Sequence, residues 1–241
     1  MDMQLVPKNA LELIQPWTHW FLYGDSGSGK TQDAATFPRP LFLVPQNEGS
    51  LATLRGQDVP YYEITDMSSP IVAGTGGMNR VLEEIERAYA SAPDDFPYDT
   101  IVLESMSHYC DLVIEELSDG GKTIMDQFRW GKLSSHLRNV QARLRRLDVH
   151  VVFTALARTD KADDGTVVGE PLMPGQSALK LPAACDVIGY CEVTTSKNAP
   201  QYKVHFRRHR HFMARSRFKG LPSTVEDFDF QQVSHLLRAG A

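Results

Sequence analysis

Residues 24–31, Gly24-Asp25-Ser26-Gly27-Ser28-Gly29-Lys30-Thr31, satisfy the pattern G-x-x-x-x-G-K-[ST] in full. The pattern commits this part of the chain to a strand, a tight loop and a helix, in that order. Gly24, Gly27 and Gly29 permit backbone angles and close approaches that a Cβ forbids. Successive N–H groups then turn inward at a helix start, where the helix dipole favours a di- or triphosphate. Lys30 is placed to reach the β- and γ-phosphates, and the Thr31 hydroxyl to ligate Mg²⁺. The flanks agree. Trp17 to Tyr23 is aromatic-rich and reads as a buried strand, and Thr31 to Phe37 as a short helix stopped by Pro38. ATP and Mg²⁺ are the ligands this arrangement implies.

A chain of 241 residues suits one sizeable α/β domain, taken as 17–241 after a short lead-in at 1–16. Apolar runs at Pro40–Val44, Tyr61–Ile64, Thr100–Leu103 and His150–Ala155 predict strands. Helical spacing predicts helices around 81–89, 106–118 and 126–146. The acidic, glycine-bearing stretch Asp160–Gly169 reads as a mobile loop. Asp186–Val193 and Gln201–Phe206 read as a hairpin, and 229–238 as a short helix. Alternating strands and helices followed by a hairpin imply a three-layer α/β fold, with a mostly parallel central sheet and a C-terminal antiparallel extension. No apolar run approaches the roughly 20 residues that span a bilayer, and no secretory leader opens the sequence. The three cysteines form no CxxC pair, which suits a reducing cytoplasm. A cytoplasmic protein without a membrane partner is expected.

A phosphate loop needs a carboxylate at the end of another strand to hold Mg²⁺. Glu104, following Thr100-Ile101-Val102-Leu103, is the candidate, one methylene longer than the commoner Asp. Glu48 lies just past the second strand and is the candidate to orient the attacking water. Thr154 and Arg158, at the end of a later strand, are weaker candidates to sense the γ-phosphate. Net charge is −5, which by itself argues against a nucleic-acid partner. The stretch from Val193 to Val225 nonetheless holds no Asp or Glu and is rich in Lys and Arg. Arg207, Arg208, Arg210, Arg215 and Arg217 in this basic hairpin segment, 186–219, mark a polyanion site. Tyr202, Phe206, Phe212 and Phe218 are interleaved there, either to stack bases or as core faces of the hairpin. His205, His209 and His211 have no Cys or acid beside them in sequence to complete a tetrahedral metal set. Strand alternation accounts for His209 and His211.

Taken in order, these stretches resemble the phage-encoded RecA-like ATPases of the Sak-type single-strand annealing class, which keep a RecA/RadA core. The matching stretches run from Phe21-Leu22-Tyr23-Gly24 through Pro40–Leu43, Tyr98–Val102, Trp130-Gly131-Lys132, His150–Ala155, Met173-Pro174-Gly175 and Asp186–Tyr190 to Met213–Arg217. The resemblance implies a RecA-like DNA-dependent ATPase that binds single-stranded DNA and promotes annealing or strand exchange in phage recombination. It further implies a ring or filament of identical subunits, a single-strand-binding protein as a further partner, and the cytoplasm of a bacterial host. It places DNA-facing loops at 120–129 and 158–174, and it places Arg215 and Arg217 against a neighbour's γ-phosphate. Glu104 departs from the family's Asp. Two other readings share the phosphate loop: a small-molecule or nucleotide kinase with an arginine-rich lid, and a nucleotide-binding interaction module with little turnover.

Overall fold

The computed structural model describes residues 17–161, 167–196 and 199–237; the lead-in 1–16 lies outside the described residues. Strand β1 (His19–Gly24) is buried along its whole length. That follows from its position, since it is flanked by parallel strands on both sides and covered on both faces. The first helix, α1 (Lys30–Ala35), leaves the phosphate loop and leads to β2 (Pro40–Pro45). Strand β3 (Tyr61–Ile64) and the edge strand β4 (Thr75–Gly76) precede α2 (Met78–Ser91). Next come β5 (Thr100–Leu103), α3 (Met106–Leu117), α4 (Gln127–Leu144) and β6 (His150–Lys161). The remainder comprises β7 (Val167–Pro171), α5 (Ser177–Ala183), β8 (Val187–Ser196), β9 (Ala199–His205), β10 (Arg215–Ser216), β11 (Thr224–Glu226) and α6 (Phe230–Ser234).

The sheet runs β11-β9-β8-β1-β6-β5-β2-β3-β4, with β10 paired to β8 and β7 to β6. From β8 to β4 every neighbouring pair is parallel; β9, β10 and β11 add the antiparallel extension. The expected fold class is therefore realised. Helices α2, α3 and α4 bury Met78, Val81, Leu82, Tyr109, Val113, Leu137 and Val140 against one face of the sheet. On the other face α1 and α6 pack an aromatic cluster around Trp20, with Phe37 and Phe230 at 4.2 Å between ring centroids. Burying each of these rings contributes on the order of 2–3 kcal/mol.

One expectation is corrected. Asp160–Gly169, read from sequence as a mobile loop, is largely an antiparallel β arm. β6 continues to Lys161, and Ala157–Lys161 pair with Val167–Pro171; residues 162–166 lie outside the described residues. Of the acids that read as loop signals, Asp160 is partnered by Arg158 (3.3 Å), which also contacts Glu170 on β7. β-branched Val167 and Val168 supply the strand preference.

Candidate functional site

Strand β1 delivers the chain to Gly24 at the sheet's C-terminal end, where Gly24 is in register with Leu156 on β6 and Cys191 on β8. A Cβ at Gly24 would overlap the Cys191 carbonyl, so the loop leaves the sheet only through glycine. Gly27 (φ 78°) and Gly29 (φ 93°) are left-handed, and α1 begins at Lys30. Lys30 is buried, and its Nζ donates to Gly24 O (3.1 Å), Asp25 O (2.7 Å) and Ser28 Oγ (3.3 Å). The ammonium is thus curled over its own loop, where a phosphate oxygen competes for the same donors.

Thr31 Oγ1 donates to Glu104 Oε1 at 3.0 Å. Glu104 follows β5 directly, and its backbone N–H donates to Leu43 O (3.0 Å), which fixes it between β2 and β6. It is 3% exposed. Burial pushes its carboxyl up to about 7, against the pull of the Thr154 and Thr31 hydroxyls and of Lys30, while the nearby Glu48 carboxylate raises it further. Its Oε2 is buried with no hydrogen-bond partner among the described residues. A desolvated carboxylate oxygen beside a hydroxyl, below an ammonium, is a hard-oxygen donor set that fits Mg²⁺. Of the two weaker sensor candidates, Thr154 stands beside Glu104, whereas Arg158 is engaged by Asp160 and Glu170 on the β arm.

Glu48 caps the short 3-10 turn Gly49–Leu54 by accepting from Ser50 N (3.3 Å). Its other oxygen meets His108 Nδ1, which also lies 3.1 Å from Ser105 Oγ. Glu48, His108, Lys30, Thr31 and Glu104 line one cleft of about 770 Å³, which Tyr202 and Asp227 also line. Sequence reasoning missed His108, and the spacing Ser105-x-x-His108 at the start of α3 is the signal that would have found it. It also missed Asp33, buried beneath the loop with Oδ2 3.8 Å from Cys191 Sγ, its carboxyl pushed up to about 7 by burial.

The basic residues are placed differently. Arg207 donates to Phe206 O (3.0 Å) and Phe218 O (3.4 Å), and Arg215 to Ala183 O (3.0 Å) and Cys185 O (2.8 Å). Arg217 pairs with Asp186 (3.4 Å), Arg210 lies 3.6 Å from Glu192, and Arg208 is exposed. β10 pairs with the first residues of β8, Val187 and Ile188, whereas the phosphate loop leaves beside Cys191. At about 3.3 Å per residue, Arg215 and Arg217 stand roughly 10 Å or more from the loop, at the opposite end of the sheet. Among the interleaved aromatics, Phe206 is core and Phe212 stacks on Tyr190 at 4.0 Å, while Tyr202 lines the cleft.

A profile of the AAA domain matches residues 18–218. The chain belongs to the AAA domain family. No curated protein matches this AAA domain in sequence. Among solved structures it is similar to a KaiC-like protein of the hyperthermophilic archaeon Pyrococcus horikoshii OT3, at 13% identity and a TM-score of 0.47, with 83% of this chain and 81% of that one covered. As an AAA domain it is a P-loop nucleotide-binding ATPase fold, and no helix among its described residues is long and apolar enough to cross a membrane.

Proposed function

We propose that this AAA domain is a Mg²⁺-dependent ATPase of the Sak-type single-strand annealing class, acting on single-stranded DNA as a ring or filament. The observation that carries the ATPase reading is the Thr31–Glu104 contact, with Glu104 Oε2 lacking a partner, directly beside Lys30. Lys30 stabilises charge on the transferring phosphoryl group, Thr31 and Glu104 hold the cation, and Glu48 orients water. The cation, when bound, neutralises charge on the phosphate oxygens. Arg215 and Arg217 are too far from their own loop, which suits a role toward a neighbouring subunit's nucleotide.

Support for a single-stranded partner comes from the start of α4 more than from the arginines. Ile124 just before α4, and Phe128 and Trp130 on its first turn, are exposed, with Lys132 Nζ 4.7 Å from the Phe128 ring centroid. Exposed rings beside cations form a stacking platform for unpaired bases. The test is phosphate release from ATP with Mg²⁺, with and without single-stranded DNA, across a salt series. Stimulation by DNA that fades with salt is the expected result. Turnover indifferent to DNA would remove the recombination reading, and a phosphorylated acceptor in place of free phosphate would make the protein a kinase.

A further inference from the structure

We propose that Glu192, His205 and His209 form a binding site for a first-row transition-metal ion of the zinc type, clamping segment 207–214 to the β8–β9 hairpin. In sequence no acid stands beside these histidines; the hairpin supplies one. Tyr190 pairs with His205 and Glu192 with Lys203, so Glu192 and His205 are diagonal neighbours on one face. His209 does not continue the strand. Its segment folds back, and its ring stacks on that of His205 with centroids 3.8 Å apart and 12° between planes.

Glu192 Oε2 lies 3.1 Å from His205 Nε2 and 3.8 Å from His209 Nε2, and all three ligand atoms lie within 4.8 Å of one another. Tetrahedral zinc, with bonds of about 2.0–2.2 Å, sets its ligand atoms roughly 3.3 Å apart. The His205–Glu192 pair already has that spacing, and the half-buried His209 closes the set by turning its ring out of the stack. Three further details favour a metal over a simple hydrogen bond. His205 Nδ1 lies 3.0 Å from Thr224 Oγ1, the outer contact that orients a ligating imidazole and aims its Nε2 inward. His209 Nε2 is buried with no hydrogen-bond partner among the described residues, a costly state for a ring nitrogen. Arg210 Nη1 takes the other carboxylate oxygen, Oε1, at 3.6 Å, leaving Oε2 for the histidines. Two imidazoles, one carboxylate and a position open to water suit Zn²⁺, Co²⁺ or Ni²⁺; Mg²⁺ and Ca²⁺ prefer all-oxygen sets.

The clamp would hold in place the segment that carries Arg207, Arg208 and Arg210. The test is titration of chelator-stripped, nucleotide-free, full-length protein with Zn²⁺, followed by calorimetry and thermal melting. One equivalent should bind, excess Mg²⁺ should not displace it, and the melting temperature should rise with free Zn²⁺. In His209→Ala and Glu192→Gln, affinity should fall by at least about tenfold and the thermal rise should vanish. His209 lies outside the core, so His209→Ala should retain the wild-type circular dichroism, whereas His205→Ala risks unfolding. Co²⁺ in place of Zn²⁺ should show tetrahedral visible bands in the wild type that are absent from His209→Ala. No saturable binding by the wild type, or equal binding by a folded His209→Ala, would overturn the proposal; the latter would assign the metal to the buried cysteines or the phosphate loop.

Discussion

Lys30 satisfies three internal acceptors in the loop and touches no core side chain through its ammonium. Lys30→Ala should therefore fold and melt near the wild type, yet lose ATP turnover by at least about a hundredfold, the scale of removing one charge-stabilising donor. Phosphate release and a thermal melt on the same sample check both halves. His108 touches Glu48 and no other candidate catalytic side chain, which makes it a positioning residue. His108→Ala should lower kcat about tenfold while leaving KM for ATP within twofold, because a loosened Glu48 misplaces water without altering phosphate contacts. Equal losses in both constants would show that His108 binds nucleotide instead. Lys30, Thr31 and Glu104 were legible in the sequence because a contiguous motif and a strand-end acid need no tertiary knowledge. The Glu48–His108 contact joins residues that meet only once α3 packs beside β2. The arginines showed their charge in sequence but not their partners: internal carbonyls engage Arg207 and Arg215, and Asp186 engages Arg217.

The elements were legible where apolar runs were continuous, as in β1, β2 and β5, since buried parallel strands need only β-branched and aromatic residues. The β6–β7 arm was not, because the partners of its acids lie on the opposite strand or two residues away. Gly169 on β7 offers a check on that arm. A Cβ there would overlap the Phe212 ring, which stacks on Tyr190. Gly169→Ala should cost about 1–3 kcal/mol by overpacking, lowering the melting temperature by roughly 2–10 °C. No change would mean that Phe212 yields freely and the arm is not seated on it. At the start of β6, His150 is wedged against Trp17, Phe37 and Phe230 and accepts from Thr18 N (3.1 Å). Burial pushes its imidazole down to about 4, against the pull of the nearby Asp99 carboxylate. The unfolded chain binds this proton below about 6.5, whereas the folded chain resists until about 4. The His150 contribution is thus complete above that range and declines as pH falls through it, by roughly 3 kcal/mol in all. Urea unfolding at pH 7.5 and 4.5 should show a smaller acid loss for His150→Gln than for the wild type.

At the scale of the whole molecule, the sheet ends in very short strands, the two-residue β4 and the three-residue β11, so edge-to-edge strand pairing offers little surface for assembly. An oligomer of this AAA domain would have to join other faces, and the two ends of the sheet differ in a way that suits head-to-tail contact. The C-terminal end holds the phosphate loop; the other holds Arg215 and Arg217. Heterologous contact of one end with the other closes into a ring or extends into a filament. If Arg217 serves the neighbour's nucleotide, Lys30→Ala and Arg217→Ala subunits should each be nearly inactive alone. Mixed in equal amounts, they should recover activity, because an intact loop then meets an intact arginine at roughly one interface in four under random assembly. Recovery toward a quarter of wild-type turnover is the expected result, with circular dichroism confirming that Arg217→Ala survives the loss of its contact with Asp186 (3.4 Å). Activity no greater than the average of the two variants alone would confine Arg217 to its own subunit, as a strut between β10 and Asp186.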